Sequence, residues 1–143
     1  MANITYPNNQ STLTLDGYTF QHLAQGASIV LAPVNDATSR VNSTNGGVSV
    51  AKRVDGDVHT LTIQVQKHSP DDIFCNDILN GELTDVTRGS MKRVYHREGE
   101  SFKETYQLEG GSITTRPTET QNNQELDVVM EYVFTFRSAV RSL

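Results

Sequence analysis

The sequence predicts a mainly β, antiparallel fold with one short helix, and three observations carry that expectation. Runs of alternating apolar and polar residues recur along the chain, turn-forming dipeptides separate them, and a single segment has the caps and spacing of a helix. The clearest run is 126–137, where Leu126, Val128, Met130, Tyr132, Phe134 and Phe136 share one face. Asp127, Val129, Glu131, Val133, Thr135 and Arg137 share the other.

In chain order, residues 1–12 are polar, with Pro7, and are expected to form an arm whose order depends on a neighbour. "TLTLDGYTF" places two short runs around Asp16-Gly17, a tight-turn signal because a type I′ turn needs two residues tolerant of positive φ. "ASIVLAP" is an apolar strand stopped by Pro33. Residues 34–47 have no period and are dense in turn formers, which predicts a long loop of the kind that usually carries function. "GVSVAKRV" and "DVHTLTIQVQ" flank Asp55-Gly56 and predict a hairpin; in the second run Leu61, Ile63 and Val65 oppose Thr60, Thr62, Gln64 and Gln66.

"SPDDIFCNDILNG" predicts a helix over 70–80. Ser69 is the N-cap, Pro70 suits the first helical position and Asp72 completes a pattern like a capping box. Asp71 and Asp72 lie at the positive end of the helix dipole, and Asn80-Gly81 supplies the stop. Phe74 and Ile78 form a docking stripe, widened by Ile73 and Leu79. Beyond it, "RGSMKRVYHR" and "SFKETYQLE" pair around Glu98-Gly99, "GGSITTRP" is a separate short strand, and "TETQNNQE" is a polar loop before the final strand. With no repeat and no boundary, residues 1–143 are expected to form one domain.

A chain of 143 residues can bury roughly 68–70% of its unfolded surface. Yet only 36% of it is hydrophobic, tryptophan is absent and the mean hydropathy is −0.46, which leaves room for subunit contacts to add burial. A net charge of −5 and a pI near 5.3 argue against a general duplex-DNA binder, whose affinity comes from phosphate neutralisation. "MANITYPNNQST" lacks the basic and apolar regions of a secretory leader, and no apolar run approaches the ~20 residues of a membrane span. A protein made in the cytoplasm, with no membrane contact, is expected.

Chemistry finds little footing. His22, His59, His68 and His96 form no HxH, HxxxH or HExxH spacing, and Cys75 has no CxxC partner, so neither a metal nor a cofactor is expected. Ser69, Asp71 and Asp72 are explained by helix capping rather than by nucleophilic catalysis. Gly46-Gly47 and Gly110-Gly111 fit no phosphate loop, and GxSxG is absent. Cys75 is expected to pack as a small buried hydrophobe. Arg88, Lys92, Arg93, His96 and Arg97 surround Tyr95 and could form a nucleic-acid surface. The acidic balance favours instead a solvated or intersubunit face paired with Glu98, Glu100 and Glu104. Val129 and Val133, which alternate with Asp127 and Glu131 on the second face of the last strand, suggest a partner over that face.

The span "LDGYTFQHLAQGASIVLAPVNDATSRVNSTNGGVSVAKRVDGDVHTLTIQVQKHSPDDIFCNDIL", with the ending "GGSITTRPTETQNNQE…MEYVFTFRSA", resembles the tail tube proteins of tailed bacteriophages from about Leu13 onward. The order of elements and the asparagine-serine-glycine loop carry the likeness, not one motif. It implies an antiparallel β-sandwich or split β-barrel with one flanking helix, and six copies closing into a ring that stacks into a tube. It also implies a virion protein of a sheath-bearing tail, with sheath, tape-measure, baseplate and terminator proteins as partners and viral DNA passing through the lumen unbound. Val34, Asn35, Arg40, Asn42, Asn45, Val129 and Val133 would meet neighbouring copies. Thr60, Thr62, Gln64, Gln66, Asp127 and Glu131 would line the lumen, since a neutral or acidic wall does not hold phosphates. A head–tail connector or tail terminator ring, or a small β-domain binding carbohydrate or peptide through 34–47, are the alternatives.

Overall fold

The computed structural model describes residues 3–7, 11–26, 28–81, 85–119, 121 and 129–143. Its strands are β1 (Ile4–Thr5), β2 (Thr12–Leu15), β3 (Tyr18–Thr19), β4 (Ile29–Pro33), β5 (Thr38–Asn42), β6 (Val48–Lys52), β7 (His59–Gln66), β8 (Asp85–Arg97), β9 (Glu100–Thr115) and β10 (Val129–Ser142); α1 (Pro70–Asn80) lies between β7 and β8. One antiparallel sheet runs in the order β3-β2-β8-β9-β10-β7-β4, with β1 added to β8, while β5 and β6 form a separate two-stranded sheet. Asp16-Gly17 and Glu98-Gly99 make the expected tight turns, each with positive φ at both residues.

The sheet curls around one core. Leu13 and Leu15 from β2, Val86, Leu108, Tyr132, Phe134 and Phe136 from the centre, and Leu61, Ile63 and Val65 from β7 belong to a single buried cluster. Burying a side chain of this kind contributes about 1.5–3 kcal/mol. The segment after β3 crosses to the far side of the curl: Leu23 bridges Val65, and the Gln66 N–H donates to the His22 carbonyl at 2.9 Å. A short strap thus spans the gap between the two ends of the sheet, which makes a split barrel, and α1 lays Phe74, Cys75 and Ile78 against the core.

The inner row changes parity midway along the central strands. Val86, Gly111 and Phe136 are aligned and buried; three residues on, not two or four, Gly89, Leu108 and Ala139 are aligned, with Leu108 fully buried. Between those rows Thr87, Arg88, Glu109, Gly110 and Arg137 are exposed. Gly110 takes φ +63, the left-handed region that favours glycine, and a Cβ on Gly111 would lie 2.3 Å from the Phe136 ring. The glycine pair therefore bends one long strand, and the separate strand expected at "GGSITTRP" is the second half of β9.

Other expectations change as well. Residues 34–47 are not one loop: they contain β5 and the turn to β6. The hairpin expected at Asp55-Gly56 does not form, because β6 pairs with β5 and β7 pairs with β4 and β10. Both faces of β5 are exposed, so selection for an apolar alternation is absent and its composition resembles a loop. Gly56 has another role: a Cβ there would meet the Ala37 backbone at 3.0 Å. Gly81 ends α1 in an extended conformation, not a left-handed one. Ile73, expected on the docking stripe, is exposed. The final strand runs on to Ser142 because β9 supplies partners for it. Leu126, Asp127, Val128 and most of the polar loop before them lie outside the described residues.

Candidate assembly surfaces

Strand alternation sends Leu61, Ile63 and Val65 inward, so Thr60, Thr62, Gln64 and Gln66 occupy the other face of β7. Antiparallel register then builds cross-strand rows. Val30, Thr62 and Val133 align, as do Ala32, Thr60, Thr135 and Ser112; Gln64 faces Glu131 and Gln66 faces Val129. Gln64 Nε2 donates to Glu131 Oε2 at 3.3 Å, and the Thr135 hydroxyl donates to that of Thr114 at 3.2 Å. These rows contain two carboxylates, Glu131 and, where the Ser112 row continues onto β8, Asp85, and no cation. The lumen candidates Thr60, Thr62, Gln64, Gln66 and Glu131 are therefore brought onto one face, together with Val129 and Val133; Asp127 lies outside the described residues. Val30 and Val129 are exposed there, and β4 leaves its outer edge unpaired among the described residues.

The hairpin of β5 and β6 projects from between β4 and β7, and every residue of its two strands is exposed. Val41 is 67% exposed, Val50 62% and Val48 48%, on both faces of the ribbon. Its only charged residues are Arg40 and Lys52. Arg40 Nε donates to Asn42 Oδ1 at 3.3 Å, and Asn45 sits in the exposed turn, which the Ser43 N–H closes on the Gly47 carbonyl at 2.7 Å. Val34 and Asn35 lie at the root, where Asn35 Nδ2 donates to the Asp55 carbonyl at 3.2 Å. A lone two-stranded hairpin is marginally stable in water.

The first turn of α1 does more than cap. The N-cap is present, with the Asp72 N–H donating to Ser69 Oγ at 3.4 Å, and Asp72 reaches back to the His68 N–H at 2.9 Å. Asp71 is fully buried and accepts from the Tyr18 hydroxyl at 2.6 Å, the His22 N–H at 2.7 Å and the Gln21 N–H at 3.1 Å. Asp72 accepts from the Tyr132 hydroxyl at 2.6 Å. Two adjacent carboxylates thus clasp the strap on one side and β10 on the other. Burial, then the Asp71 hydrogen bond, pushes the Tyr18 phenol up to about 12, and burial raises Tyr132 in the same direction. Charge alone places both aspartates at the helix dipole; the i, i+3, i+4, i+7 spacing of Asp71, Phe74, Cys75 and Ile78 is the signal that marks Asp71 as inward-facing.

The basic cluster is divided by strand alternation. Arg93, Tyr95 and Arg97 share one face of β8, and Lys92 and His96 the other. Arg93 lies 4.6 Å over the Tyr6 ring and Arg97 4.7 Å over that of Phe102, which stacks on Tyr95. Glu104 pairs with Arg141 of β10 at 2.6 Å. Among the described residues no three metal-ligating side chains converge. Cys75 is buried, and burial raises its thiol pKa.

No family model matches the chain, and no curated protein matches it. Solved structures do. A chain from the extended-state sheath/tube terminator of the PVC extracellular contractile injection system has TM-score 0.63 at 10% identity, covering 96% of each chain. A chain from the anti-feeding prophage cap, the AFP tube terminating cap, has TM-score 0.64 at 10% identity, covering 96% of this chain and 90% of that one. A chain from the PVC sheath–tube complex, also extended, has TM-score 0.63 at 9% identity over the same shares. What is shared at such identity is the fold, and it is the tail-tube-like β fold that the sequence resemblance implied.

Proposed function

We propose that this chain is a non-catalytic structural subunit of a phage or phage-like tail tube. Copies join side by side, six to a ring, and rings stack into a conduit for genome ejection that works with sheath, tape-measure, baseplate and terminator proteins. The observation that carries this reading is the β5–β6 hairpin: a fully exposed, valine-bearing ribbon with two cations and no anion, on a chain of net charge −5. A second copy offers it acidic surface and apolar cover together. The edge of β4, unpaired among the described residues, and the cation-free face that carries Thr60, Thr62, Gln64 and Gln66 fit the same scheme, since a closed ring removes sheet edges and a wall without cations does not hold a polyanion.

Electron microscopy of the purified protein, with sedimentation across concentration, tests it. Rings or stacked tubes are expected, and a stable monomer at high concentration would overturn the reading. Two of the similar folds come from assemblies described as a terminator and a cap, which favours a second reading as a terminating ring. Closed single rings that never stack would select it.

A further inference from the structure

We infer that Asn45, at the tip of the β5–β6 hairpin, is a site of spontaneous deamidation that marks unassembled copies. The chemistry needs an asparagine followed by a residue whose backbone nitrogen is unshielded and whose chain can flex. Asn45 precedes Gly46, both are exposed, and Gly46 has no side chain of its own to crowd its nitrogen; even a Cβ placed there would meet nothing within 4 Å. One turn hydrogen bond, from the Gly46 N–H to the Ser43 carbonyl at 3.2 Å, has to open first, in a ribbon with no packing behind it.

The deprotonated Gly46 nitrogen attacks Asn45 Cγ; the new N–Cγ bond closes a five-membered succinimide, and the Cγ–Nδ2 bond breaks to release ammonia. Water then adds at either ring carbonyl and opens the ring to aspartate or isoaspartate. The net change is amide plus water to acid plus ammonia, and the acid is ionised at neutral pH. The isoaspartate route also inserts an extra backbone carbon into the turn.

The chain holds its own control. Asn80-Gly81 has the same dipeptide, and its Gly81 N–H donates to the Ile78 carbonyl at a similar 3.3 Å. Asn80, however, is the last residue of α1, whose helical backbone keeps its side chain directed back along the helix and away from the following nitrogen. The same sequence is therefore reactive in the ribbon and restrained in the helix. The product matters because the hairpin is otherwise purely cationic: a carboxylate at its tip opposes docking on an acidic copy. That consequence, and the protection of Asn45 once the hairpin is docked, rest on the self-assembly reading; the reactivity of Asn45 does not.

The test is peptide mass spectrometry of the intact full chain aged at mildly alkaline pH, beside Asn45→Gln and a sample aged in denaturant. Conversion of the Asn45 peptide to two isomeric acids is expected, with the Asn80 peptide lagging in the folded protein and catching up in denaturant. The Asn45→Gln chain loses the conversion at that position. An Asn45 peptide that stays amidated in the folded chain, or an Asn80 peptide that converts equally fast there, overturns the site. Where assemblies form, their Asn45 is expected to convert more slowly than that of free copies, and Asn45→Asp to lower the assembled fraction; equal rates, or unchanged assembly, overturn the marking role. Absence of any assembly sinks the tube reading and leaves the Asn45 measurement on the monomer intact.

Discussion

Asp71 and Arg40 are both charged side chains on short elements, and their surroundings could hardly differ more. Asp71 is fully buried and receives three hydrogen bonds from the strap and β3, whereas Arg40 stands exposed on β5 and, among the described residues, reaches only Asn42. Around α1 the chain satisfies its own polar groups and stacks Tyr18 on Phe74 at 4.3 Å; along the hairpin it leaves valines in water. The first region folds for itself. The second is exposed along both strands, and it is the region that the proposed assembly would cover.

The strongest way to break this contrast is Asp71→Ala. It strands the Tyr18 hydroxyl and two backbone N–H groups in the interior, and a loss of about 3 kcal/mol or more is expected by urea unfolding. A loss comparable to that of a surface substitution would mean the clasp is not what closes the barrel. Alkaline titration probes the same contact. The Tyr18 phenol ionises near 10 when unfolded and near 12 when folded, so the unfolded chain gives up its proton first. The stability it contributes is complete below pH 10 and is lost as pH rises through about 12. The unfolding midpoint should fall over that window, and Tyr18→Phe should flatten the fall.

Smaller effects sharpen the boundary between the regions. Ser69→Ala removes the N-cap and should cost about 1 kcal/mol in the same unfolding assay. Val50→Asp should leave monomer stability within about 0.5 kcal/mol, since that side chain is mostly exposed, while abolishing assembly in sedimentation. A Val50→Asp chain that unfolds readily would show the hairpin to be part of the folded unit.

Legibility in the sequence followed the same division. β7, β10 and α1 have one buried face each, so their periods were plain from Leu61, Ile63 and Val65, from Tyr132, Phe134 and Phe136, and from the cap at Ser69. β5 was invisible because a ribbon wet on both sides has no apolar period to display. Gly110-Gly111 suggested a break between strands, although the pair makes room for Phe136 within one. Asp71 was assigned by its charge to the helix end, and only its spacing with Phe74, Cys75 and Ile78 hinted at the interior. Rows that pair lumen candidates with Val129 and Val133 depend on register between distant segments, which pattern alone does not supply.

The parity change shared by β8, β9 and β10 ties the lengths of three strands together. Deleting one residue on either side of Gly110 would turn half of a strand inside out while its neighbours kept their orientation, placing Leu108 or Ile113 in water. Descendants of this chain can therefore grow or shrink at the 43–47 turn or at the Glu98-Gly99 corner, but indels in the middle of that trio are tolerated only when all three strands change in step.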